Sequence, residues 1–253
     1  MNLKTIQSQF KSLRMPEAAK SLEDVLAKYK TGTSLNWLSE LLQLEIDARK
    51  ESTLQRRIKN GGFSEIKTLE SFDWDFNPKL PKEKVMQLST LDFIENKEIA
   101  LFLGYTGTGK THIAMALGLN AIKQGKRVLC TSSKKLAQQI RVHKQKQSLD
   151  KLFKKFLSSD LWIIDDWGMI SMEKDISEEV FDLLDRRKHT SAMILTSNRS
   201  IREWAEVFSD PVLANAATDR IFEGAHILPF EGKSYRLQGK LKATEFDIMA
   251  HSD

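Results

Sequence analysis

GYTGTGKTH, running from Gly104 to His112, follows the apolar run Ile99-Ala100-Leu101-Phe102-Leu103 and precedes a stretch with helical spacing. Residues 104–111 match G-x-x-x-x-G-K-[ST], in which glycines let backbone N–H groups turn inward and approach phosphate oxygens with no Cβ in the way. A glycine-rich turn with an incidental lysine would need neither the strand before it nor the helix after it. Both are present, so the stretch predicts a phosphate cradle. Lys110 is expected to reach the β and γ phosphates and Thr111 to supply a hydroxyl to Mg²⁺. The start of a helix over 111–123 adds its partial positive charge. The expected nucleotide-binding set is Gly104, Tyr105, Thr106, Gly107, Thr108, Gly109, Lys110 and Thr111, with His112 beside them. His112 falls one residue into the helix, where packing explains an imidazole and no chemistry is assigned to it.

Beyond residue 98 short apolar strands alternate with helical segments. The strands are expected at 99–103, 127–131, 161–164, 192–196 and 226–230, the pattern of a parallel sheet covered on both faces. Gly125 is expected to end the first helix, Ser200 with Glu203 to form a capping box, and Asp210-Pro211 to open a helix that Gly224 closes.

Two carboxylates, Asp165 and Asp166, end the apolar run Leu161-Trp162-Ile163-Ile164, at the sheet edge where open α/β folds bind ligands. Without a phosphate loop a solvated turn would explain them equally well. With the loop, Asp165 is expected to hold Mg²⁺ through water and Asp166 to orient or deprotonate the attacking water. Asn198, ending Leu195-Thr196-Ser197-Asn198, is placed to hydrogen-bond the γ-phosphate or that water, although an asparagine after a strand is commonly a turn residue. For Arg220, spacing leaves two readings level: a finger entering a neighbouring subunit's site, or a surface pair with Asp219 or Glu223.

The N-terminal part reads differently. Leu22, Val25, Leu26 and Tyr29, then Leu38, Leu41, Leu42 and Ile46, fall at helical spacing, with Gly32 between the patterns and Ser34 as a helix N-cap. Glu45 and Arg49 form an i,i+4 pair assigned to the helix surface. The expected divisions are a helical module over 1–66, a linker and the start of the main domain over 67–97, a core over 98–238 and a tail over 239–253. The linker stretch Phe72–Pro78 has no clear period and is expected to lie against the core.

Of 253 residues 41% are hydrophobic and 29% charged, the balance of a globular protein able to bury a core. One cysteine, Cys130, allows no internal disulfide, and neither a signal peptide nor a spanning segment is read. A cytoplasmic protein is the expectation. With 39 basic residues against 34 acidic ones the net charge is only +5, so distribution matters more than the sum. The densest basic stretch holds Lys134, Lys135, Arg141, Lys144, Lys146, Lys151, Lys154 and Lys155, and a second holds Arg49, Lys50, Arg56, Arg57 and Lys59. Composition alone fits a solvated helix face backed by Leu136, Ile140, Leu149 and Leu152. The functional alternative is salt-sensitive contact with nucleic-acid phosphates, which reversing Lys144 and Lys146 to glutamate would weaken.

These residues together resemble an AAA+ ATPase, and more closely the IstB-type transposition helper ATPases, relatives of DnaC helicase loaders and DnaA initiators. The likeness is carried by Leu44–Arg49, Leu69–Trp74, Gly109–Gly118, Asp165–Gly168, Thr196–Asn198, Asp219–Ile221 and Gly232–Arg236. It implies an αβα core with strand order 5-1-4-3-2 after a small helical domain. It also implies ATP and Mg²⁺ as ligands, assembly of subunits as a ring or filament on duplex DNA, and partnership with the transposase of the same insertion element. By the same resemblance Asp166 is the water-activating acid, Asn198 the first sensor and Arg220 a finger acting in trans, while Lys134, Lys135, Arg141, Lys144, Lys146, Arg56 and Arg57 become DNA contacts. Three departures are visible: Tyr105-Thr106 and Thr108 replace a proline-rich loop, aspartate stands at 166 where many AAA+ proteins have glutamate, and no lid follows the fifth strand, leaving Arg236 as the candidate second sensor. A DnaC-type loader would share this site and differ in its partner. A metabolic P-loop kinase would need an acceptor pocket, for which no segment is found.

Overall fold

The computed structural model describes residues 3–29, 36–63 and 65–238. Gly32, Ser34 and the expected 239–253 tail lie outside the described residues. The chain divides into two compact units, Met1–Arg57 and Ile58–Asp253.

The first unit is helical: α1 (Leu3–Ser12), α2 (Pro16–Lys28) and most of α3 (Asn36–Gly61). Ala18, Leu22, Val25 and Leu41 form its buried centre, with Phe10, Met15, Tyr29 and Trp37 packed around them. The expected helical stripe on α3 is only partly used, because Leu41 is buried whereas Leu42 and Ile46 are exposed. Glu45 corrects the surface assignment. Its ion pair with Arg49 is present at 2.7 Å, but the carboxylate is buried and accepts the N–H groups of Glu17 at 2.8 Å and Ala18 at 3.1 Å. These are first-turn amides of α2, so Glu45 caps that helix from another element, a task its own N-cap position Met15 leaves undone. Burial works against its charge, yet Arg49 and the two amides hold its carboxyl below the ordinary value.

The second unit begins earlier than the expected break at residue 66: the ring of Phe63 packs against Gly118, where a Cβ would stand 3.0 Å from it. After α4 (Lys82–Ser89) and the short α5 (Asp92–Glu95), five strands alternate with helices. These are β1 (Ile99–Gly104), α6 (Lys110–Lys123), β2 (Val128–Ser132), α7 (Ser133–Gln145), α8 (Leu149–Leu157), β3 (Leu161–Asp165), α9 (Lys174–Arg187), β4 (Ala192–Ser197), α10 (Pro211–Phe222) and β5 (His226–Phe230). All pairings are parallel, in the order β2-β3-β4-β1-β5, which is the 5-1-4-3-2 order implied by the resemblance.

Strand alternation explains the layers. Ile99, Leu101, Trp162, Ile164, Met193 and Leu195 face a core shared with α7 to α10, while Ile163 meets the α6 side at Gly118. Both faces are covered, as near-continuous apolar strands require. The helix signals hold in detail. Gly125 and Gly224 take positive φ after their helices, Asp210 caps α10, and the Ser200–Glu203 capping box is present, although it starts a 3₁₀ turn (Ile201–Glu206). Arg187 is fully buried and ties the layers together, donating to Ser159 Oγ at 3.0 Å, Ser159 O at 3.1 Å and Ala192 O at 3.0 Å. Burial pushes its guanidinium down to about 9.

No described helix is long and apolar enough to cross a membrane. Cys130 is free and buried.

Candidate active site

β1 delivers the loop 104–109 to the start of α6 at the carboxyl edge of the sheet. Three glycines make this possible, each for a different neighbour. A Cβ on Gly104 would fall 2.1 Å from Phe230 O across the β1–β5 pairing, one on Gly107 would fall 2.1 Å from Ser234 Oγ, and one on Gly109 would fall 2.5 Å from the Phe72 ring. All three also take positive φ, between 82° and 149°. Gly109 is the N-cap of α6 and offers no side-chain cap, so the first-turn amides are left for an anion.

Lys110 is nearly buried and donates to Gly104 O at 2.6 Å and Tyr105 O at 2.7 Å. Burial lowers its ammonium to about 8, against the pull of Asp166 and Asp165. Thr108 is buried and its Oγ1 donates to Tyr105 O at 2.8 Å, which stiffens the turn. Tyr105 itself is exposed.

Both carboxylates are brought to the loop by the end of β3, which lies one strand away from β1 across β4. Thr111 Oγ1 donates to Asp165 Oδ1 at 2.8 Å, so the expected magnesium pair is already in contact. A hydroxyl beside a carboxylate is the hard-oxygen donor set that Mg²⁺ takes, with water and phosphate completing its shell. Asp166 sits at φ +55°, a left-handed conformation that turns the chain sharply after β3. Burial raises its carboxyl above the ordinary value and Asp165 adds to this, while Lys110 and Arg236 pull it back. Asn198 donates from Nδ2 to Thr106 Oγ1 at 3.2 Å, reaching from the end of β4 to the phosphate loop, while its Oδ1 is buried without a partner. An orphaned acceptor at this point suits a ligand or water.

Three supporting residues had no role in the sequence reading. Thr196, within the quoted stretch Thr196–Asn198, donates to Asp165 Oδ1 at 2.5 Å and accepts the Asp166 N–H at 3.1 Å, so one hydroxyl orients both acids. Ser133, the buried first residue of α7, donates to Asp166 O at 2.6 Å. Asn77 lies in the linker. The sequence signals for Thr196 are its place at a strand end and in the stretch Thr196–Asn198, and the other two leave none.

His112 holds the linker: its Nε2 lies 2.9 Å from Thr68 O and 3.4 Å from Ser71 Oγ, and the Phe72 ring meets it edge-on. Arg220 forms its ion pair with Asp185 on α9, its Nε donating at 2.7 Å, while Glu223 pairs with Lys188, and the Arg220 side chain is half-exposed. Of the basic residues, Lys134, Lys135 and Lys146 are exposed and, among the described residues, make no ion pair. Arg141 is matched by Glu173 at 3.1 Å, and Lys144 by Glu179 at 3.2 Å and Asp175 at 3.6 Å, all on or beside α9. Arg56 is exposed on α3 and Arg57 half-buried.

A five-stranded parallel sheet in this order, with a glycine cradle, a buried lysine and two strand-end acids at one edge, defines an AAA+ P-loop nucleotide-binding protein. The family model described as IstB-like ATP binding protein matches residues 8–243, and the chain belongs to that family. An ATP-binding protein named for insertion sequence IS21 in Pseudomonas aeruginosa is 34% identical over 241 residues, covering 95% of this chain and 91% of its own. Among solved structures, AMPPCP-bound DnaA from Aquifex aeolicus superposes with a TM-score of 0.56 at 24% identity, over 74% of this chain and 60% of that one. The DnaC helicase loader gives 0.52 at 20% identity, over 59% of this chain and 87% of its own. These two likenesses are of fold.

Proposed function

We propose that this protein is a Mg²⁺-dependent ATPase that assembles on duplex DNA as a ring or filament and delivers or regulates the transposase of its insertion element. The observation that carries the enzymatic part is the contact of Thr111 with Asp165 beside a buried Lys110, with Asp166 one residue on. Thr111 and Asp165 would hold the magnesium ion, which supplies neutralisation of phosphate charge. Lys110 leaves its two carbonyl partners for the β and γ phosphates. Asp166, whose raised pKa makes it a better base than an ordinary carboxylate, takes the proton of the attacking water that Asn198 Oδ1 orients. Arg220 lies on a half-exposed helix face and exchanges Asp185 for the γ-phosphate of a neighbouring protomer.

The transposition reading rests on relatives named for insertion sequences that match nearly the whole chain. The DnaC likeness is shared fold and supports no helicase partner by itself. Lys134 and Lys135 are the best-placed DNA contacts, because both are exposed and no acidic side chain among the described residues pairs with them.

Lys110→Ala removes the one ammonium in the cradle. ATP-dependent assembly on DNA, followed by negative-stain microscopy with a non-hydrolysable ATP analogue, is expected to disappear. Ordered assemblies formed equally well by Lys110→Ala would refute the mechanism.

A further inference from the structure

Asn77 is nearly buried, and both ends of its amide are spent on one distant residue. Oδ1 accepts the Lys233 N–H at 3.0 Å and Nδ2 donates to Lys233 O at 2.9 Å. An amide that satisfies both backbone groups of a single residue acts as a one-residue strand partner, here joining the two ends of the second unit. Gly232 is shaped to allow it: φ is +129°, and a Cβ there would stand 2.4 Å from Asn77 Oδ1. Beside the clamp, Phe76 meets Tyr235 edge-on at 5.0 Å.

The clamped turn reaches the phosphate loop. Tyr235 N–H donates to Gly107 O at 2.9 Å, and Ser234 fills the space that a Cβ on Gly107 would need. In a trans peptide the carbonyl and the following N–H point in opposite directions. Tying the Gly107 carbonyl to Tyr235 therefore aims the Thr108 N–H away from the turn, and it keeps an oxygen from facing the triphosphate.

We infer that Asn77 is a positioning residue for the nucleotide: by clamping the 232–237 turn it holds the apex of the phosphate loop in its anion-binding form. The inference rests on the nucleotide reading above.

The test compares the full-length chain with Asn77→Ala, Gly232→Ala and the double variant, measuring affinity for ATP with Mg²⁺, KM and kcat for hydrolysis, and amide hydrogen exchange at Tyr235. Loss of the clamp is expected to weaken ATP binding roughly tenfold, to raise KM more than it lowers kcat, and to speed exchange at Tyr235. Gly232→Ala breaks the contact from the other side and adds backbone strain of its own at φ +129°, so it is expected to weaken ATP binding at least as much as Asn77→Ala. Asn77→Asp, which keeps only the acceptor, is expected to fall between. Phe156→Leu, on the buried face of α8, controls for general loss of stability and should leave affinity unchanged at a matched melting temperature.

Wild-type affinity and exchange in Asn77→Ala would overturn the clamp alone, as would an equal loss of affinity in Phe156→Leu. Failure of the wild-type chain to take up ATP would overturn the nucleotide reading together with the clamp.

Discussion

Lysines stand at the centre of two regions expected to meet phosphate, the loop 104–111 and the basic stretch 134–155, and the two regions treat them differently. In the loop a single ammonium is nearly buried, bonded to two carbonyls and depressed to about 8 by the burial that shapes it. On α7 and α8 the cations are many and exposed, and Arg141 and Lys144 are already matched by acids of the protein itself. The loop is prearranged and local, so losing one group is decisive. The helix face is distributed and partly self-neutralised, so losing one group changes little.

Asp166→Asn is expected to show the largest effect in this comparison, lowering turnover roughly 100-fold or more while ATP affinity is kept. Single-turnover hydrolysis beside equilibrium binding checks it, and a variant that hydrolyses at the wild-type rate would move the base elsewhere. Next in size, Lys134→Glu with Lys135→Glu is expected to weaken duplex binding roughly tenfold near 100 mM salt and to flatten its salt dependence. Arg141→Gln with Lys144→Gln, whose cations already have partners, should cost far less. Equal losses from both pairs, read by fluorescence anisotropy across a salt series, would erase the distinction drawn between free and matched cations.

The smallest effect sharpens the loop side alone. With its ammonium at about 8, Lys110 is half-protonated near pH 8, and a bound triphosphate restores the full charge. Binding at that pH should take up about half a proton, and the uptake should fade as the pH drops toward 6, where the free site is already charged. Titration calorimetry in buffers of different ionisation enthalpy measures it, and Lys110→Ala provides the blank.

Much of the fold was legible because its signals are short-range. Glycines at 104, 107 and 109, apolar runs of strand length, and caps at Ser200 and Asp210 each act within a few residues. Phe72–Pro78 was expected to lie against the core, and Phe72 does so, over Gly109 and His112. Glu45 was misplaced because its pairing with Arg49 is local and visible, whereas its capping of α2 joins residues 27 and 28 apart. Arg220 has acids beside it in sequence, Asp219 and Glu223, yet its ion pair is with Asp185 on another helix.

From the sequence alone came the phosphate loop, the strand–helix alternation and the identity of the two strand-end acids, because each depends on backbone conformations and periodicities written into adjacent residues. Only the folded chain decided which hydroxyl orients those acids, which cations stay free for a partner, and that Asn77 grips the turn lying on the loop. Those outcomes depend on which strands become neighbours and on side chains meeting across 30 to 156 residues, and no local pattern encodes such distances.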